Sequence, residues 1–422
     1  MKDTADRLVR YAGLATAAGG PSGPIATATS GASGGKVPDS ALDDARSRVL
    51  SALRLAGSLL SKSKLASSAD LACRLFDGAL AALEGNAACG ERGASCAESA
   101  LGLLGTLATK LDPHEEGATL DISRPHLQAR MPRVHAALLA RLAPAPASVD
   151  PELEDAVEDA AKEAVGATLC ICSALGTEAS RFVPDYVGVC VATASELKAP
   201  LKDRLRAATA LGGLATSAPA ATAPFVPQGV AALVAVASGL SDACIADRAK
   251  GSSHGDDDDD DDEEDDEEPM QRLVRSRLCV LRACRRLFDC TVGGNGGADV
   301  PARLVPLLVP LVAPVVGVAE SWSTGPVAFL VLDAEESEDD ESEDAKGLPP
   351  DIVAAAVLEL LASVSRVVGS TTLRAHARLG MPWVDRLLER SSHHSNASVK
   401  RLAIAVRKAL PPAAKVKASG RA

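Results

Sequence analysis

The chain has 422 residues, of which 47% are apolar, 24% charged and only 2% aromatic, and its formal net charge is −12. That length holds two or three globular domains or one extended repeat array, and a core so poor in aromatics must be built from Leu, Ala and Val. The same poverty counts against functions that need stacking platforms, such as single-stranded nucleic-acid or sugar recognition.

Residues 3–17 suit one short helix, and residues 19–36 form a Gly, Ser, Thr, Ala and Pro linker. Helical periodicity resumes at Asp39 through Leu42, Val49, Leu53 and Leu60. It returns in the stripe Leu71, Leu75, Phe76, Leu80, Leu83, which stops at Gly85. Ser95 to Leu111 carries Leu101, Leu104 and Leu107 before Asp112-Pro113. Pro125 to Leu142 carries Leu127, Met131, Val134 and Leu138, with Pro132 expected to interrupt it near the start. Pro151 to Leu175 opens on Glu152, Glu154 and Asp155, where acids favour the positive helix end.

Pro184 to Leu197, Pro200 to Leu214 and Pro227 to Leu240 continue the alternation. In Pro200 to Leu214 the apolar stripe is Leu201, Leu205, Ala208, Leu211 and Leu214, and Lys202, Asp203, Arg204 and Arg206 are expected on the opposite, solvent face. Phe182-Val183-Pro184 and Phe225-Val226-Pro227 are the same helix opening 43 residues apart, the spacing of a helical-pair repeat. Met270 to Phe288 places Val274, Leu278, Leu281, Cys284 and Leu287 on one stripe and Arg272, Arg275, Arg277, Arg282, Arg285 and Arg286 on most of the rest. Leu304 to Ala319 is uncharged but broken by three prolines, which reads as a buried repeat helix rather than a membrane span. Pro350 to Val368, Pro382 to Arg390 and Ser398 to Leu410 complete the helices, and Lys415, Lys417 and Arg421 make the tail basic.

Several first helices share a polar start, a β-branched or leucine residue followed by a base, and then small residues on the packing stripe. Asp203-Arg204-Leu205-Arg206-Ala207-Ala208, Leu273-Val274-Arg275 and Ser398-Val399-Lys400-Arg401-Leu402-Ala403 all do this. In this the chain resembles HEAT and armadillo helical-repeat proteins. The resemblance implies an all-α fold, a right-handed α-solenoid of stacked antiparallel helix pairs, interrupted here by acidic disordered insertions. Small residues where helices cross would let the pairs stack closely. The expected organisation is a short helix and linker at 1–38, repeats at 39–248, an acidic loop at 249–268, repeats at 269–322, a second acidic loop at 323–348, repeats at 349–410 and a basic tail at 411–422.

The charge is concentrated in those loops. Asp256, Asp257, Asp258, Asp259, Asp260, Asp261, Asp262, Glu263, Glu264, Asp265, Asp266, Glu267 and Glu268 are 13 consecutive acids, and Asp333 to Asp344 holds nine more. Outside the two runs 34 acids face 44 Lys and Arg, so the scaffold itself is mildly basic. A run of 13 like charges has nothing to bury and cannot fold alone. Three readings of the first run are open: a solvated spacer, an electrostatic lure for a basic protein, or a mask over the arginines of 272–286. Repeat chains with an acidic loop also resemble the importin-beta class of nuclear transport receptors, which implies a loop contacting cargo or a small GTPase. In the second run Ser337, followed by Glu338-Asp339-Asp340, suits an acid-directed kinase.

Ten cysteines lie mostly within apolar helical patterns, and no paired CxxC spacing occurs. Cys170 and Cys172 stand two apart on a helix and point to different faces, so they read as core thiols; no metal or cofactor site is expected. No phosphate loop, nucleophile elbow or HExxH pair occurs, and MKDTADRLVRYAG has no secretory pattern. The expectation is a non-enzymatic, protein-binding scaffold of cytosol or nucleus, without membrane insertion and without direct nucleic-acid binding. The expected partner is a protein, a basic one being the kind the acids would suit, and the candidate contacts are the acids of 256–268 with Arg206, Arg275 and Arg282. A transport-receptor role and a purely structural arm of a larger complex are the alternatives.

Overall fold

The computed structural model describes residues 51, 69–85, 90–109, 120–143, 154–251, 269–292, 351–368, 388–389, 391–393 and 397–409. Among these the chain is almost entirely helical and holds no strand, so the fold is all-α. The chain divides into two units, Met1–Cys190 and Val191–Ala422.

Unit 1 contains α1 (Ala69–Gly85), α2 (Gly90–Thr109), α3 (Leu120–Leu142), α4 (Glu154–Leu175) and a 3-10 turn (Gly176–Arg181), and ends within α5 (Val183–Ser195). α1 packs on α2 and α3, and α4 packs on α2 and α3, so the contacts are between the sequence neighbours α1–α2 and α3–α4 and, two places apart, α1–α3 and α2–α4. The buried stripes are the ones the periodicity predicts. Leu75, Phe76, Leu80 and Leu83 of α1 meet Leu101, Leu104 and Leu107 of α2, all at 3% exposure or less. At Gly105 an added Cβ would stand 3.4 Å from the Cα of Ala167, so α2 and α4 approach through small residues. Gly176 takes φ 58°, the left-handed conformation that ends α4 at little cost only for glycine.

α3 corrects the expectation of a break at Pro132, because the helix runs through both Pro125 and Pro132. Both prolines are exposed. The buried stripe Leu127, Met131, Val134, Leu138 and Leu142 offsets the roughly 3 kcal/mol that an interior proline costs.

Unit 2 contains α6 (Leu201–Ser217), the short α7 (Pro219–Thr222), a 3-10 turn (Ala223–Phe225), α8 (Val226–Gly251), α9 (Pro269–Val292), α10 (Asp351–Val368) and α11 (Ala397–Ala409). α9 is its centre, packed against α6, α8 and α10, while α11 packs on α10. Leu278, Leu281, Cys284, Leu287 and Phe288 fill the core from α9. Glycine again marks a close crossing: a Cβ on Gly212 of α6 would lie 2.7 Å from the Cα of Ala283 of α9. Thr222 closes the turn between α6 and α8 by donating to the carbonyls of Leu214 and Ala218 at 3.0 and 2.9 Å.

Pro219–Ala237 is long and apolar enough to cross a membrane by length and composition. It is broken by the turn at Ala223–Phe225, and its Val230, Leu233 and Val236 are fully buried in unit 2. The uncharged stretch Leu304 to Ala319, the linker at 19–36, the helix expected from Asp39 to Leu60 apart from Ser51, and most of Pro382 to Arg390 lie outside the described residues.

Candidate functional site

Outward polar residues of unit 1 form a ladder that joins α1 to α3, and α3 to the turn Gly176–Arg181 and α5. From α1, Asp77 accepts from Nε of Arg130 at 2.9 Å and Nη2 at 3.1 Å, and its Oδ1 lies 3.0 Å from Nε2 of His126. About two turns further along α1, Glu84 takes both prongs of Arg133 at 2.9 and 2.5 Å. On its other flank α3 reaches the next segment. Gln128 donates to Glu178 at 2.7 Å, and Nε2 of His135 lies 3.0 Å from Oδ2 of Asp185. The partners stand 49, 53, 49, 50 and 50 residues apart. One offset of about 50 residues therefore relates each rung to the next. The forked Arg–carboxylate geometry fixes register between neighbouring helices, although partial exposure keeps each pair at about 0.5–1 kcal/mol.

Beneath the last rung the His135 ring packs on Phe182 and Tyr186, with centroids 5.1 and 4.9 Å away. Among the described residues the hydroxyl of Tyr186 and Nδ1 of His135 are buried without a hydrogen-bond partner. Burial, with Cys172 and Asp185 nearby, pushes the Tyr186 phenol well above its ordinary range, so it stays neutral.

Unit 2 has two polar nodes. Arg204, expected on the solvent face, is instead 4% exposed. Its Nε donates to the carbonyl of Ala194 at 3.2 Å and its Nη2 to that of Ala235 at 2.5 Å, so the guanidinium ties α5 and α8 to α6. Asp203, also expected outside, is 5% exposed and pairs with Arg206 at 2.7 Å. Burial of this pair corrects the sequence reading, in which every charge on α6 faces water. The second node joins α9 to α10. Arg285 pairs with Glu359, and Asp289 with Arg366 at 3.1 Å. Arg277 is likewise inside, at 7% exposure, rather than on an outer arginine face.

The residues singled out from sequence are dispersed. Arg206 is engaged with Asp203 within its own helix. Arg282 is exposed on α9. Arg275 lies in α9 with its side chain outside the described residues, as are Asp256 to Glu268 and Ser337. Among the described residues the eight cysteines are free, and no cluster of His, Cys, Asp and Glu is arranged to hold a metal ion. Burial pushes the thiols of Cys172 and Cys290 up to about 12, and that of Cys284 up as well, so these three are inert core groups. The ladder on α3 was missed from sequence. Its signal is a set of acids and bases recurring at one fixed offset, visible only when helices 50 residues apart are compared.

No protein-family model matches this chain, and no curated protein matches it either.

Proposed function

We propose that this protein is a non-catalytic binding scaffold. In this reading its helix pairs stack in the manner of HEAT-type repeats, and its acidic segments recognise a basic protein. The observation that carries it is the constant offset of about 50 residues between polar partners in unit 1. In unit 1 α1 packs with α2 and α3 with α4, and α1 meets α3 as α2 meets α4; helix pairs that pack on the next pair at a constant offset would present one surface repeatedly rather than enclose a central cleft.

In unit 2 the side-chain partners that join α9 to α6 and to α10 stand 70, 74 and 77 residues apart, and the intervening sequence includes an acidic run each time. In this reading the runs are additions to the repeat spacing. Segments of such charge density raise encounter rates with a basic partner and make the complex salt-sensitive.

Affinity capture from extract with the intact chain and with a chain lacking Asp256–Glu268 tests this, at low and moderate salt. The reading expects basic proteins on the intact chain, lost on deletion and on added salt. An unchanged captured set would make the run a spacer and refute recognition through it.

A further inference from the structure

The C-terminal helix α11 has one buried edge and one outer face of uniform sign. Val399, Ala403 and Val406 are buried, while Lys400, Arg401, Ile404, Arg407 and Lys408 are exposed. On a helix these five positions form one continuous stripe, with an isoleucine at its centre that is 40% exposed. Residues 397–422 hold seven Lys and Arg and no acid, so nothing local neutralises the stripe. Among the described residues none of the four cations is paired with a carboxylate. By contrast Arg130, Arg133, Arg206, Arg285 and Arg366 are engaged with Asp77, Glu84, Asp203, Glu359 and Asp289.

We infer that the outer face of α11 is a docking surface for an anionic segment with an apolar lead, and that its occupant is this chain's own stretch Phe329–Asp344. Two properties of that stretch match the stripe. Phe329-Leu330-Val331-Leu332 stands directly before nine acids, which pairs an apolar contact for Ile404 with carboxylates for the flanking cations. The tether is also short. Six residues separate Asp344 from Asp351, where α10 begins, and α10 is the helix on which α11 packs. Six extended residues span up to about 20 Å, against about 27 Å for the whole of α10. A tether of this kind holds the segment near the stripe at millimolar effective concentration, which offsets the weakness of each exposed ion pair. The first acidic run lacks the apolar lead, since Gly, Ser and His precede it. This pairing stands whether or not the chain recognises an external basic protein.

Carbodiimide cross-linking of the full chain, mapped by mass spectrometry, reads the contact. The expected result is Asp or Glu of 333–344 joined to Lys400 or Lys408 within monomers. The yield should be independent of protein concentration and largely lost at 1 M salt, where the screening length is about 3 Å. R401Q with R407Q leaves both lysines in place and should lower the yield several-fold. Links confined to dimers, links from 256–268 instead, or no link would each overturn the assignment. Polyglutamate provides the second arm: a chain lacking Phe329–Asp344 should bind it about tenfold more tightly than the intact chain, and equal affinity would refute intramolecular cover.

Discussion

Gly212 offers a test in which steric contact and intrinsic preference oppose each other. Replacing glycine by alanine inside a helix ordinarily stabilises it by about 1 kcal/mol, because the unfolded chain loses freedom and the helix gains a better former. Gly166, exposed on α4 with nothing within 4 Å of an added Cβ, should keep that gain. At Gly212 the new methyl would stand 2.7 Å from the Cα and 3.0 Å from the Cβ of Ala283. Main chain on the facing helix cannot rotate away, so α6 and α9 must part by several tenths of an ångström. Overpacking of this kind costs about 1–3 kcal/mol, enough to cancel or reverse the propensity gain. Gly166→Ala should therefore raise the urea midpoint of unfolding, and Gly212→Ala should fall below it by about 1–3 kcal/mol when each is compared with the parent chain. A Gly212→Ala chain as stable as Gly166→Ala would mean that α6 and α9 do not cross at Ala283.

Tyr186→Phe removes a buried hydroxyl that has no partner among the described residues, so stability should rise by about 1 kcal/mol in urea melts; a loss of that size would place a bound water or partner on the hydroxyl. Alkaline pH should weaken the fold. The unfolded thiols ionise near pH 8.5–9, whereas burial holds Cys172 and Cys290 protonated to about 12. Their contribution is complete below pH 8.5 and is lost at about 1.4 kcal/mol per thiol per pH unit as the pH climbs towards 12. A flat stability profile from pH 8.5 to 11 would contradict that burial. Asp77→Asn should weaken the α1–α3 ladder by about 0.5–1 kcal/mol and do so less in high salt, because Asp77 and Arg130 are one-third exposed. A double-mutant cycle with Arg130→Gln measures the coupling directly, and a coupling of zero would remove the rung.

Much of the fold is legible in the sequence because the stripes are simple. The Leu and Phe spacing of 71–83 and its closing glycine match α1, and Phe-Val-Pro marks the openings of α5 and α8 within a residue. Arg204 was not legible. Helical periodicity assigns a lone arginine to solvent, and only the carbonyls of Ala194 and Ala235, supplied by two other helices, make its burial tolerable. Pro132 misled for a related reason. A proline predicts a break from local chemistry, yet the buried edge of α3 outweighs it and the proline itself faces water. The ladder escaped because Asp77, Arg130 and Glu84 are ordinary surface residues singly, and their meaning lies in a 50-residue offset. The acids of 256–268 were found at once because charge density needs no tertiary context.

The most direct test of the scaffold reading is the salt dependence of binding to a captured basic partner, measured for the intact chain and for the chain lacking Asp256–Glu268. The account predicts that deletion weakens binding at least about tenfold at low salt and flattens the slope of log affinity against log salt, leaving a remainder carried by the helical faces. Equal affinities and equal slopes for the two chains would contradict it.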